Sequence, residues 1–171
     1  MRIGIPAEIR PGETRVAATP ETIKKYVAAG HEVVVQSGAG IASSITDDAY
    51  QAAGAVLTDA AGALSADLVL KVRAPDASER ALMRKDSVLV GMLNPYDADN
   101  NAAMAAAGFS AFALEAAPRI TRAQSMDVLS SQANLAGYRA VIDASAEYGR
   151  ALPMMMTAAG TVPAAKIFVM G

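Results

Sequence analysis

The sequence predicts a three-layer α/β domain in which helices cover both faces of a parallel sheet. Short runs of β-branched and aliphatic residues alternate with helical patterns along the first two thirds of the chain, and this alternation is typical of parallel strands joined by crossover helices. Hydrophobic residues make up 53% of the 171 residues, which is enough for a core, and few of them are aromatic. Such a composition suits helices packed closely on a sheet of the Rossmann or flavodoxin type.

The limits of the predicted elements follow from local start and stop signals. Thr19, Pro20 and Glu21 have the character of an N-cap, a first-turn proline and a first-turn acid, and they open a helix that Gly30 ends. Asn94 precedes a proline and therefore breaks the strand before it. The predicted strands are 2–6, 32–36, 67–72, 87–93 and 109–114, and the predicted helices are 20–29, 47–53, 97–107 and 124–148.

The last quarter of the chain has a different pattern. After the long helix come a hairpin or extended connection around 152–163 and an apolar strand over 166–170 that runs into Gly171. An apolar strand ending in glycine is how a dinucleotide-binding fold begins. A glycine after an apolar strand is common, so this signal is weak by itself. We predict an N-terminal α/β domain over 1–129, followed over 130–171 by a linking helix and the first strand of an incomplete Rossmann domain.

Composition excludes several classes of function. The absence of cysteine rules out disulfides, thiolate catalysis and cysteine-ligated metals. A net charge of −2 with both signs interspersed leaves no basic surface for nucleic acid. His31 is the only histidine, and no group of residues has metal-ligand spacing, so we expect no metal site. No apolar run reaches the length of about 18 residues that a membrane helix needs, so we expect no direct membrane insertion.

Polar residues follow several predicted strands at the edge where ligands bind to parallel sheets. Lys71, Asn94 and Glu115 end three strands, and Arg15 lies in the loop after the first strand. The carboxyl ends of parallel strands meet at one edge, so these side chains could share a cleft. An arginine can hold a carboxylate or phosphate through two hydrogen bonds, and a lysine offers a point charge. Arg15 and Lys71 are therefore candidates for a substrate pocket, although exposed strand-end positions are also often simply polar.

A second polar cluster precedes the long predicted helix. Arg119, Arg122, Gln124, Asp127 and Ser130 supply two cations, an amide, a carboxylate and a hydroxyl. The last three are spaced i, i+3, i+6 and would share one face of a helix. These groups could bind the amide, ribose and phosphate groups of a polar ligand. A solvated helix start is the alternative, but the density of hydrogen-bonding groups exceeds what capping requires, so we favour ligand contact.

Seven motifs carry a resemblance to a known family. They are MRIGIP with Glu8 at the start, ETRVAATP at 13–20, SGAG at 37–40, LKVRAP at 70–75, PRITRAQSMDVLSSQ at 118–132, NLAGYR at 134–139 and AAGTVPAAK at 158–166. Together they resemble the NAD-binding alpha subunit (domain I) of proton-translocating NAD(P) transhydrogenases, a domain similar in fold to alanine dehydrogenase. The resemblance spans essentially the whole chain, and the motif at 118–132 is specific.

The resemblance implies a cofactor site in the second polar cluster. By resemblance, Arg119, Gln124, Asp127 and Ser130 contact the nicotinamide end of NAD(H), and Gln124 and Asp127 act as catalytic residues by orienting the ring. Arg122 lies in the same loop. The implied activity is direct hydride transfer from NADH to NADP⁺ on a separate domain, with proton translocation through a membrane domain.

The resemblance also implies partners and a location. The partners would be the transhydrogenase membrane domain and the NADP(H)-binding domain or beta subunit. NADP(H) would be bound there and not on this chain. A second copy of the chain would form a homodimer, and the complex would place the chain in the cytoplasm, peripheral to the inner membrane.

Two departures from the family qualify these expectations. Alanine dehydrogenases use an arginine and a lysine, matching Arg15 and Lys71, and a histidine acid/base whose position corresponds to Asn94. Asparagine cannot shuttle a proton near neutral pH, which favours a transhydrogenase. The family's glycine-rich loop would start where this sequence stops, so we expect an N-terminal portion that binds NAD(H) poorly by itself. An alanine-dehydrogenase-like amino-acid oxidoreductase and a non-catalytic binding or dimerisation module are the alternatives.

Overall fold

The chain forms a doubly wound α/β domain followed by a smaller unit. The computed structural model describes residues 1–170, and these divide into two compact units, Met1–Asp127 and the residues from Val128 onward. In the first unit six parallel strands form one sheet with the order β3-β2-β1-β4-β5-β6, so the predicted parallel α/β fold is confirmed. The strands are β1 Arg2–Ile5, β2 Glu32–Gln36, β3 Val56–Thr58, β4 Leu68–Arg73, β5 Val88–Met92 and β6 Ser110–Ala113.

Five helices connect these strands, and side-chain caps begin them. They are α1 Pro20–Ala28, α2 Asp47–Ala52, α3 Ala60–Leu64, α4 Ala77–Leu82 and α5 Ala98–Ala107. The hydroxyl of Thr19 accepts a hydrogen bond from the backbone N–H of Thr22, as the predicted N-cap of α1 requires. Asp76 and Glu79 form a reciprocal capping box at the start of α4.

Two apolar clusters cover the two faces of the sheet. Val33 and Val35 of β2 pack in a cluster with Ile23 and Tyr50, whereas Val34 packs in the other cluster. Alternate residues of a strand point to opposite faces, so both faces of β2 are buried. A strand buried on both sides is apolar without alternation, and this explains the uninterrupted run of three valines.

Some predicted elements differ from those observed. The sequence does not predict β3, α3 and α4, because elements of three to six residues carry too little periodicity to be distinguished from loops. The helix predicted over 124–148 is wrong at its start. Thr121–Met126 forms a 3-10 helix, Asp127 has a non-helical ψ of 84°, and the α-helix α6 spans Val128–Tyr148.

The second unit contains α6 and a β-hairpin. Gly149 follows α6 with a φ of 65°, which glycine adopts readily, and β7 Met155–Thr157 pairs antiparallel with β8 Gly160–Val162. The strand predicted over 166–170 is not formed, since no strand within residues 1–170 pairs with it. Gly171, into which that strand was predicted to run, lies outside the described residues. The domain limits 1–129 and 130–171 stay a prediction.

No helix within the described part of the chain combines the length and the apolar character that crossing a membrane would require.

Candidate functional site

The strand order reverses between β1 and β4, which places a crevice at the carboxyl edge of the sheet. Glu8, just after β1, reaches across this crevice to the end of β4. One oxygen of its carboxylate accepts the backbone N–H of Val72 at 2.6 Å, and the other accepts that of Arg73 at 3.2 Å. Glu8 therefore accepts hydrogen bonds from backbone N–H groups where the strand order reverses, and it joins the two strands on either side of the reversal.

Lys71 lies beneath this edge in a buried ion cluster. Its ammonium is 2.6 Å from Oε1 of Glu79 and 3.5 Å from Oε2 of Glu8, and the side chains of Lys71, Glu79 and Glu8 are 1%, 7% and 2% exposed respectively. Burial raises the pKa of the Glu8 carboxyl, while Lys71 and the two backbone N–H groups act in the opposite direction. In this structure Lys71 is engaged by two carboxylates inside the fold.

A second ion cluster lies at the surface of the crevice. Arg15 binds the carboxylate of Glu13 through Nε at 2.7 Å and Nη2 at 2.6 Å, and Nε of Arg73 lies 3.1 Å from the same group. Hydrogen bonding from Arg15 lowers the pKa of Glu13 to about 2, and the same contact raises the pKa of Arg15. An open depression of about 300 Å³ is lined here by Arg10, Pro11, Gly12, Glu13 and Arg73.

The two substrate-pocket candidates therefore lie in different environments. The structure joins Arg15 to Arg73 through Glu13, whereas Lys71 is joined to Glu8 and Glu79. The guanidinium groups at the depression outnumber its carboxylate, so this surface could hold a carboxylate or phosphate. A role of Arg15 and Lys71 in binding one substrate stays a prediction.

Asn94 is held in an unusual conformation at the end of β5. Its φ is 53°, in the left-handed region, and its side chain is exposed. The carboxylate of Glu115 accepts the N–H of Asn94 at 2.6 Å and that of Leu93 at 3.1 Å. The side-chain amide of Asn100 donates to the carbonyl of Leu93 at 3.1 Å. Hydrogen bonds thus fix the turn that presents Asn94.

The segment predicted to contact a cofactor is exposed and polar. Arg119 precedes the 3-10 helix Thr121–Met126, which carries Arg122 and Gln124, and all three side chains are exposed. None of these three side chains makes a hydrogen bond or ion pair within residues 1–170. Ala123, 4% exposed, anchors the same helix in the core. Two guanidinium groups and an amide are donors suited to the phosphates and the carboxamide of a dinucleotide.

Asp127 and Ser130 lie at the end of this segment and in α6. Asp127 ends the 3-10 helix, where its N–H donates to the carbonyl of Gln124 at 3.2 Å. Ser130 lies in the first turns of α6, in the second unit. The shared face predicted for Gln124, Asp127 and Ser130 required one helix through all three, and Asp127, with a non-helical ψ of 84°, interrupts that helix. Contact of these residues with NAD(H) stays a prediction.

Several residues that organise this edge have no role predicted from the sequence. They are Glu8, Glu13, Arg73 and Glu79. A capping-box spacing between Asp76 and Glu79 could have located the last of them. No sequence pattern indicates that Glu8 reaches β4, because that contact spans 64 positions. Within residues 1–170, no group of three or more His, Asp or Glu side chains is placed to hold a metal ion.

Comparisons with known proteins agree with this architecture. Residues 4–136 match the family model "Alanine dehydrogenase/PNT, N-terminal domain". The whole chain is 53% identical to an NAD(P) transhydrogenase alpha-subunit polypeptide of Rhodospirillum rubrum, of which it covers 47%. The chain thus spans about half the length of this curated relative.

Two solved structures resemble the chain. A transhydrogenase from Sinorhizobium meliloti superposes with a TM-score of 0.93 and 55% identity, over 96% of this chain and 50% of that one. An L-alanine dehydrogenase superposes with a TM-score of 0.65 and 35% identity, over 67% of this chain and 32% of that one. Because the family model matches well over half of its residues, this chain belongs to the alanine dehydrogenase/PNT N-terminal domain family.

Proposed function

We propose that this chain is the NAD(H)-binding part of an NAD(P) transhydrogenase alpha subunit. It would pass hydride from NADH to NADP⁺ held on a partner domain, coupled to proton translocation through a partner membrane domain. The observation that carries the proposal is the exposed set Arg119, Arg122 and Gln124, whose side chains have no partner within residues 1–170. A relative matched along the whole chain is named as a transhydrogenase alpha subunit, which supports it.

The side chains of this segment would bind and orient the nucleotide. Arg119 offers guanidinium donors to the nicotinamide end, with Arg122 in the same loop, and Gln124 can both donate to and accept from the carboxamide. Asp127 and Ser130 would complete the contacts to the nicotinamide end. NAD(H) supplies the hydride, so the chain contributes by positioning.

Asn94 supports hydride transfer between nucleotides over amino-acid oxidation. Oxidation of an amino acid requires a group that takes up and releases a proton, and an asparagine amide does not titrate near neutral pH. The exposed amide of Asn94 lies at the carboxyl edge, and Lys71 is engaged by Glu8 and Glu79. An alanine-dehydrogenase-like oxidoreductase is the alternative, supported by the likeness to an L-alanine dehydrogenase.

The test separates these activities with one protein preparation. The complete gene product is given NADH with either pyruvate and ammonium, or an NADP⁺ analogue and the partner NADP-binding domain. Oxidation only with the NADP⁺ analogue is the expected result. Oxidation of NADH with pyruvate and ammonium would contradict the proposal and indicate an alanine-dehydrogenase-like oxidoreductase. Absence of both reactions would favour a non-catalytic binding or dimerisation module.

A single substitution tests the role of Gln124. We expect Gln124→Asn in the complete enzyme to lower hydride transfer roughly tenfold, because the amide is withdrawn by one methylene from its place in the site. The melting temperature should not change, since Gln124 is exposed. Gln51→Asn, at an exposed position of α2, is the matched control and should change neither quantity. Unchanged hydride transfer in Gln124→Asn would contradict the proposed role.

The proposed assembly follows from the same resemblance. The chain would act as a homodimer with the membrane domain and the NADP(H)-binding domain or beta subunit. It would lie in the cytoplasm, peripheral to the inner membrane. Sedimentation of the purified complete protein, alone and with each partner, measures these states directly.

A further inference from the structure

We propose that Glu115 is a positioning residue of the nucleotide site. Its carboxylate would hold the end of β5 and the start of the 119–126 segment in one arrangement. This inference rests on the proposed function, because it concerns the site to which that function assigns NAD(H). Glu115 need not contact the nucleotide itself.

Both carboxylate oxygens of Glu115 accept backbone hydrogen bonds, and we call this pair of bonds the polar anchor. Oε1 accepts the N–H of Asn94 at 2.6 Å, and Oε2 accepts the N–H of Leu93 at 3.1 Å. Both donors follow β5, whereas Glu115 lies 21 and 22 positions further along the chain. Hydrogen bonds to a carboxylate are shorter and stronger than those between neutral groups. The anchor therefore joins two neighbouring strand ends that the sheet hydrogen bonds do not reach.

The backbone that Glu115 holds is under conformational strain. Asn94 has a φ of 53°, which costs free energy for any residue other than glycine, although asparagine tolerates it better than most. Strained residues persist where the surrounding contacts enforce them, and they concentrate at functional sites. Here the contact is the short bond from Asn94 to Glu115. Without the bonds to Glu115, the turn would keep the bond from Asp97 to the carbonyl of Asn94 at 3.0 Å and that from Asn100 to the carbonyl of Leu93 at 3.1 Å, and would be held less firmly.

The same residue controls the path of the chain into the proposed cofactor segment. Glu115 lies in a 3-10 turn, Leu114–Ala116, that Ala117 closes by donating to the carbonyl of Leu114 at 3.1 Å. Arg119 follows after Ala117 and Pro118, and the buried Ala123 lies in the next 3-10 helix, Thr121–Met126. The exposed Arg119 thus lies between the hydrogen-bonded Glu115 and the buried Ala123 along the chain. Loosening the polar anchor would let Arg119 move.

An amide cannot replace the carboxylate at this position. A glutamine has one acceptor oxygen, and its NH₂ group would face the second backbone N–H. Glu115→Gln should therefore lose one bond and place two donors together, with little change in side-chain volume. We expect a roughly tenfold rise in the dissociation constant for NADH, because binding would then have to restore the arrangement that the lost charge-assisted bond maintained.

The experiment uses the complete transhydrogenase complex and two independent readouts. NADH binding is measured from nucleotide fluorescence without turnover, and steady-state kinetics give the KM for NADH, the KM for the NADP⁺ analogue and kcat. We expect Glu115→Gln to raise the NADH dissociation constant and KM together and to leave the KM for the NADP⁺ analogue unchanged. A merely structural fault would reduce the amount of active enzyme, lowering kcat without changing either KM.

Asp67→Asn is the matched control. Asp67 also uses a carboxylate to accept a backbone N–H, that of Arg2 at 2.8 Å, but it does so at the opposite, amino end of the sheet. It also pairs with Arg84 at 2.7 Å. Its substitution should leave the NADH dissociation constant unchanged. If Glu115→Gln does not fold, Glu115→Asp keeps both oxygens and withdraws them by one methylene, and it should raise the dissociation constant in the same direction.

The outcomes separate this inference from the proposed function. Suppose that the wild-type enzyme transfers hydride and that Glu115→Gln and Glu115→Asp bind NADH with the wild-type dissociation constant. That result would overturn the role of Glu115 alone. An equal rise in Asp67→Asn would show that the effect is not specific to this edge, and would also overturn it. Wild-type protein that neither binds NADH nor reduces the NADP⁺ analogue would overturn the proposed function, and the inference with it.

Discussion

The β1–β4 crevice and the 119–126 segment differ in how their polar groups are satisfied. In the crevice Lys71 contacts two carboxylates, and Glu13 contacts two guanidinium groups. In the segment, the side chains of Arg119, Arg122 and Gln124 project without partners within residues 1–170. Similar residue types are therefore satisfied within the fold in one region and exposed to solvent in the other. Groups that satisfy one another hold the fold, and groups left to solvent can bind a ligand.

Burial explains why the two regions must differ. A charge removed from water is tolerated only when nearby charges and hydrogen bonds replace hydration, so the nearly fully buried Lys71 requires its carboxylates. The exposed arginines of the segment keep their hydration and need no partner. A ligand that binds them has only to displace water. This contrast can be tested by substitutions in each region.

The largest expected effect is on stability, from Lys71→Met. The substitution leaves Glu8 and Glu79 buried without their cation, and breaking a buried pair in this way typically costs about 3–5 kcal/mol. The measurement is chemical denaturation. Lys25→Met is the matched control, because Lys25 pairs with Glu21 at 3.3 Å with both side chains exposed, and it should cost less than about 1 kcal/mol. Equal losses in both variants would show that Lys71 does not stabilise the crevice.

The second effect is on binding, from Arg119→Ala. Removal of an exposed guanidinium that binds the nucleotide should raise the dissociation constant for NADH roughly tenfold in the complete protein. The melting temperature should be unchanged, because the Arg119 side chain has no partner within residues 1–170. Arg150→Ala, at another exposed arginine, should change neither value. A loss of stability without a loss of binding would assign Arg119 to the fold instead.

The smallest effect is the acid dependence contributed by Glu13. Its pKa is lowered from 4.5 to about 2, so its contribution to stability is complete above the unfolded value and is lost as the pH falls toward 2. The contribution should be about 1 kcal/mol, since the arginine partners are partly exposed. The free energy of unfolding of Glu13→Gln, measured from pH 6 to pH 2, should therefore fall less steeply than that of the wild type.

Two comparisons make the acid dependence specific. Glu21→Gln, at an exposed position of α1, should keep the wild-type slope, and an identical slope in Glu13→Gln would contradict the prediction. Glu8 acts in the opposite sense. Because burial raises the pKa of Glu8, ionising this carboxyl costs more in the fold than in the unfolded chain, and stability decreases as the pH rises through its folded pKa.

Sequence predicted the elements whose signals are local. The start of α1 at Pro20 and the limits of β2 agree with the predicted ones, because a cap, a proline and a run of valines each act within a few residues. The predicted start of α6 is wrong by four positions, since Gln124 and its neighbours adopt a tighter helix anchored by Ala123. A helical pattern cannot distinguish these two forms over so few residues.

The fold class, the family and the polar types available at the sheet edge could all be read from the sequence. Alternating strands and helices, caps and motifs are encoded over short stretches of chain. Which polar groups are satisfied became known from the three-dimensional arrangement alone. Glu8 reaches β4 across 64 positions, and Glu115 reaches back 21 positions to Asn94. Such contacts depend on the spatial order of the strands in the sheet. In the folded chain the ammonium of Lys71 is buried, whereas the side chain of Arg119 is exposed.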